Sequence, residues 1–219
     1  MTVHGSVIVA LVWAIAGAGA GWVVRWGSVR LARMEELEPG HARWQVYGPP
    51  ILSAILFGLF GLELSSLSLL VLRSVFVLVL VQVIFFDLEH RLILDRVMFP
   101  SMAVALLLSL SGDPWFSGQD RWHGIATGLA AGLLFLLIGL AGSAIFKAEA
   151  LGFGDVKLVL FMGLLLGPLP TVQAIFYGVF LAGVAAVVVI IWRRSMQGSL
   201  AYGPYLAAGA LIVLYLLPQ

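Results

Sequence analysis

Residues 151–168 read LGFGDVKLVLFMGLLLGP: an aspartate held by two glycines, a lysine, and then a short apolar run closed by Gly-Pro. Crossing a bilayer takes about 20 apolar residues, and 156–168 offers 13. So short a segment either crosses where the bilayer is thinned or wet, or does not cross at all. That choice decides the topology. If 156–168 crosses, Arg193 and Arg194 fall on the same side as most other basic residues; if it does not, they fall on the opposite side.

The surrounding chain has 219 residues, 62% of them hydrophobic and 11% charged, with a mean hydropathy of +1.08. A water-soluble domain of this length carries far more polar surface, so an all-α polytopic membrane helix bundle is expected. Apolar runs over about 5–24, 46–62, 66–86, 96–111, 124–146, 171–192 and 199–217 bring the count to about eight transmembrane helices with 156–168 included. Alternate connections hold Arg25, Arg30, Arg33 and Arg43, then Arg91 and Arg96, then Lys147 and Lys157, then Arg193 and Arg194. The remaining connections hold Arg121 with Glu63, Asp113 and Asp120, and Arg73 falls inside the third span. Basic residues collect on the cytoplasmic face, which places both termini outside and the loops after spans 1, 3, 5 and 7 inside. The run over 7–24 follows no basic stretch and is expected to be a retained span rather than a cleaved signal. A single integral-membrane domain, 1–219, is expected: a first span with a short cytoplasmic loop over 1–45, and a bundle over 46–217.

A net charge of +1, with no basic face, gives no expectation of nucleic acid as a partner; the lipid bilayer is the expected surroundings. With no cysteine, disulfides, zinc–thiolate sites and cysteine nucleophiles are excluded. No metal and no cofactor is expected, and neither HExxH nor GxSxG occurs.

Two aspartates stand at the cytoplasmic ends of spans: Asp87, closing VLVLVQVIFFD at 77–87, and Asp155. A carboxylate beside hydrocarbon is costly and marks a functional position by default. Two brought together share one proton, so that one activates a water while the other polarises a carbonyl. The plainer readings are that Asp87 snorkels at a span end and that Asp155 caps the helix it opens. Capping is compatible with catalysis, because a helix N-terminus favours negative charge. Gly152 and Gly154 allow a tight turn and close approach of another backbone. Arg73 is read as snorkelling, and His90 as a solvated loop residue.

KAEALGFGDVKL (147–158) resembles the GxGD motif of the type IV prepilin peptidases, membrane aspartic proteases that trim pilin and pseudopilin precursors. FFDLEHRLILDRVMFP (85–100) resembles their other acidic motif, and YGPYLAAGALIVLYL (202–216) their last span. The order and spacing cover roughly 45–217. The resemblance implies an eight-helix bundle, with 46–217 its catalytic part. It implies Asp87 and Asp155 as the catalytic pair, prepilin or pseudopilin precursors as partners, and an active site facing the cytoplasm from the prokaryotic plasma membrane. Glu149 and Lys157 match positions flanking the motif, where they steer substrate, tune Asp155, or serve as interfacial charge. Asp95 matches the second Asp of the first motif and shapes its loop, or replaces Asp87 if that residue is dispensable. Glu89 binds the basic leader of a precursor or balances Arg91.

The chain also departs from the family. Its loop over about 25–45 lacks the cysteine-rich zinc insert that larger members associate with methylating the new N-terminus, so the expectation is limited to peptide cleavage. GAGAGWVVRWGSVRLARME (17–35) is a partial echo of the family's first-span motif, and Leu94 stands where the family usually has Pro. Two other readings remain: a presenilin-like protease cutting within transmembrane helices, and a small transporter or channel relaying protons through Asp87 and Asp155.

Overall fold

The computed structural model describes residues 6–63, 66–111, 121–147, 151–193 and 201–217. Glu149, Asp113, Asp120 and Arg194 lie outside the described residues. Among those described, the regular elements are helices: α1 (Ser6–Met34), α2 (Arg43–Glu63), α3 (Leu67–His90), α4 (Asp95–Ser111), α5 (Arg121–Phe146), α6 (Phe153–Leu166), α7 (Pro168–Arg193) and α8 (Gly203–Leu216). The fold is the expected polytopic helical membrane bundle. Helices α1, α2, α3, α5 and α7 are long and apolar enough to cross a bilayer. Helices α4, α6 and α8 have 17, 14 and 14 residues. A helix of 14 residues rises only about 21 Å, short of a hydrocarbon core of about 30 Å.

The chain packs as two compact units divided after Arg91. In the first, α1 and α2 run antiparallel along a seam of small residues. A Cβ on Gly17 would stand 2.5 Å from the Ser53 carbonyl oxygen, and one on Gly21 would stand 2.4 Å from Pro50 Cα. In lipid there is no hydrophobic drive between helices, so such close backbone contact is what holds them together. Helix α3 is the most buried of the three, with Phe76, Val77, Leu80 and Val81 in its packed core. Polar side chains stitch α1 to it: Trp13 Nε1 donates to Ser74 Oγ at 2.8 Å, and Ser28 Oγ donates to Gln82 Oε1 at 2.7 Å.

Three expectations change here. The first helix does not end with its apolar run near residue 24 but continues to Met34, carrying Arg25, Arg30 and Arg33 as helical residues. The stretch WGSVRLARM contains no proline, and leaving the apolar run is no reason for a backbone to stop being helical. Arg73 does not snorkel: it is 1% exposed, inside the packed face of α3. His90 is not a solvated loop residue. It is the last residue of α3, and its ring lies 4.7 Å from that of Phe86.

In the second unit, α6 is the inner helix, with Leu158, Val159, Phe161, Met162 and Leu166 fully enclosed. It lies antiparallel to α5. Gly139 of α5 faces Leu151, Gly132 faces Leu160, and Gly124 faces Leu164. Between these two helices the tightest crossing is Gly163 over Gly128, where an added Cβ would stand 2.5 Å from the facing Cα. Helix α8 meets α7 in the same way, with Gly209 against the Ala174 carbonyl. Outward faces of α5 and α7 are apolar and exposed, including Leu129, Leu133, Leu137, Phe176, Phe180 and Val187. Such faces suit hydrocarbon rather than water.

Candidate active site

Asp87 belongs to the last turn of α3 rather than to the loop after it, and it is only 5% exposed. The helix stops because Arg91 turns left-handed, at φ 54° and ψ 39°. That turn lets the Arg91 N–H donate to the Asp87 carbonyl oxygen at 2.8 Å, a helix-ending bond of the αL type.

Two residues on, Glu89 is almost enclosed. Arg25 Nη1 of α1 donates to Glu89 Oε2 at 3.1 Å, the two side chains being 8% and 6% exposed. The Gly40 N–H, in the connection between α1 and α2, donates to the other carboxylate oxygen, Oε1. Arg25 Nη2 donates in turn to the Gly40 carbonyl, and His90 Nε2 lies 3.3 Å from Glu89 Oε1. Glu89 therefore does not face open water. It closes a clasp between α1, the connection and the end of α3.

In the second unit, α6 opens on Gly152, whose extended backbone (φ −68°, ψ 142°) makes it the N-cap. Asp155 is thus the third helical residue, and its N–H donates to the Gly152 carbonyl oxygen at 3.0 Å. The residue is 9% exposed, and its Oδ2 lies 3.4 Å from where a Cβ on Gly152 would stand. The unpaired N–H groups of a first helical turn favour negative charge at this position. Gly154 has no open space beside it. A Cβ there would stand 2.8 Å from Ile93 Cβ, so this glycine seats α6 against the segment leading into α4. Leu94 is buried and opens α4 by accepting from the N–H groups of Val97 and Met98 at 3.1 and 2.9 Å.

Lys157 and Asp95 find each other. The ammonium donates to Asp95 Oδ1 and lies over the rings of Phe99 and Phe153, 5.0 and 4.7 Å from their centroids. An ammonium over aromatic faces is held by their quadrupoles as well as by the carboxylate. Around the start of α6 the structure thus gathers Gly152, Gly154, Asp155, Lys157 and Asp95, while Asp87 and Glu89 share the last turn of α3.

Three partners were not foreseen from the sequence. Arg25 and Gly40 are 49 or more residues before Glu89, and no motif connects them to it. Tyr202, in the turn ahead of α8, has its phenol pushed up by burial and then by the negative charge of Asp155. Its signal lay in YGPYLAAG, where the tyrosine before Gly-Pro reads as part of a turn.

The sequence pattern of the type IV leader peptidase family matches residues 74–191, a stretch containing Asp87, Glu89, Asp95, Asp155 and Lys157. A prepilin leader peptidase/N-methyltransferase of Bacillus subtilis (strain 168) is 29% identical over 166 residues, 74% of this chain. The chain spans 62% of the length of that relative. No solved structure matches it.

Proposed function

The chain belongs to the type IV leader peptidase family, and from that premise we propose that it is a membrane aspartic endopeptidase. It removes the short basic leader from type IV prepilin-like or pseudopilin precursors, on the cytoplasmic side of the prokaryotic plasma membrane. Asp87 and Asp155 act together on one substrate and share one proton. The ionised carboxylate takes a proton from a water whose oxygen attacks the scissile carbonyl carbon. The protonated carboxyl donates to the carbonyl oxygen as it becomes tetrahedral. Collapse breaks the C–N bond, the new amine leaves with the proton the first carboxylate accepted, and the second carboxylate takes its proton back from the tetrahedral diol as the product carboxyl forms.

The observation that carries the reading is the family pattern running through both aspartates. Their burial supports it, because a partly desolvated carboxylate meets a lower dielectric than bulk water provides. Their place in end turns, the last of α3 and the first of α6, favours cutting at the membrane boundary. A proton relay asks for ionisable groups along a pathway through the bundle. The proposal stops at peptide cleavage: the second activity in the relative's name stays with that protein, of which this chain spans 62%.

The test is the purified chain in lipid with a synthetic prepilin-type peptide, a basic leader followed by an apolar helix. We expect one cut, between leader and apolar segment, read by mass. Intact peptide, or cuts scattered within the apolar helix, would overturn the reading, and the second result would favour an intramembrane protease.

A further inference from the structure

We propose that Glu89 is a positioning residue for Asp87, and that the clasp of Arg25, Glu89 and Gly40 holds the end of α3 in catalytic register. The proposal rests on Asp87 being catalytic. Final turns of helices fray. Asp87 lies in such a turn, four residues before the left-handed Arg91 that ends it. A backbone that frays there moves the carboxylate, and a misplacement of about 1 Å at a reacting group costs about 100-fold in rate.

The clasp stands against that motion. Both oxygens of Glu89 are engaged from outside its own helix, one by the Arg25 guanidinium and the other by the Gly40 N–H. Arg25 also reaches the Gly40 carbonyl, closing a ring through two helices and a connection. Charge-assisted hydrogen bonds of this kind are the stronger class, and a nearly enclosed pair is little screened. Packing of the His90 ring on Phe86 fixes the residues on either side of Asp87. The clasp therefore acts on the backbone that carries Asp87.

Three roles for Glu89 predict different kinetics. Cleavage of the prepilin-type peptide is measured for the full chain in lipid, with Glu89→Gln, Arg25→Lys and Arg25→Met. As a positioning residue, Glu89→Gln lowers kcat about 10- to 100-fold with KM within about twofold, and the loss is the same for leaders with and without basic residues. Arg25→Lys, which keeps the charge, recovers a substantial part of the activity that Arg25→Met loses. A rise in KM confined to basic leaders, with kcat unchanged, would overturn the proposal and make Glu89 a leader-binding residue. So would a lowered Tm with unaltered kcat per folded molecule, which is a purely structural role. Amide exchange over 85–91 reads the anchoring separately: Glu89→Gln speeds it, and unchanged exchange overturns the clasp whatever the activity. A wild-type chain that leaves the peptide intact would instead sink the peptidase reading, and the exchange result would still decide whether the clasp holds the helix end.

Discussion

At the scale of single residues, position within a helix decides what a charge can do. Asp155 sits three residues past an N-cap that has no side chain, and it is the acidic residue of that first turn, where negative charge is favoured. Tyr202 feels that charge. A phenol raised above the ordinary tyrosine value of about 10 binds its proton more tightly in the folded chain than in the unfolded one. Its contribution to stability is therefore fully present below the unfolded value and is lost as pH rises through the folded one. Tyr202→Phe is expected to remove that alkaline loss, read as Tm against pH above about 9; an unchanged alkaline limb would contradict it. Lys157 and Asp95 make a weaker claim. Asp95 is 56% exposed, so a double-mutant cycle of Lys157→Met and Asp95→Asn is expected to show a coupling below about 1 kcal/mol. Asp87 and Asp155 were legible in the sequence because a charge bordering an apolar run stands out against it. Arg25 was not, since a basic residue ending the first apolar run already had a sufficient explanation in the positive-inside rule.

At the scale of elements, the close crossings are where substitutions matter. Gly163→Ala places a methyl 2.5 Å from the Gly128 backbone and forces α5 and α6 apart, at a cost of about 1–3 kcal/mol. Gly183→Ala, in α7, meets nothing within 4 Å and should raise stability slightly through helix propensity, by about 1 kcal/mol at most. Unfolding midpoints in the same detergent compare the two; equal losses would mean that the crossing is not tight. The number and order of helices could be read from hydropathy, because each apolar run is bounded by charge, proline or glycine. Their ends could not. Helix α1 outlasts its apolar run by ten residues, and hydropathy measures affinity for lipid rather than backbone conformation. The short α6 was legible as short, and its burial among neighbouring helices explains how 14 residues suffice for an inner element.

At the scale of the whole molecule, cleavage of a cytoplasmic leader requires one orientation of the chain in the membrane. The chain contains no cysteine, so single cysteines report cleanly on sidedness. Glu38→Cys and Leu92→Cys are expected to react with a membrane-impermeant maleimide only from the cytoplasmic face, and Ser66→Cys only from the outer face. Reaction of Leu92→Cys from outside would put Asp87 on the wrong side for a cytoplasmic leader. Orientation and family together still leave the chemistry to two carboxylates, and that is the claim to test. The measurement is cleavage of the prepilin-type peptide by Asp87→Asn and Asp155→Asn, each purified in lipid and shown by Tm and amide exchange to keep its helices. The account predicts that each substitution alone removes detectable cleavage, because neither carboxyl can activate water and polarise the carbonyl by itself. Near-normal cleavage by either variant would contradict it.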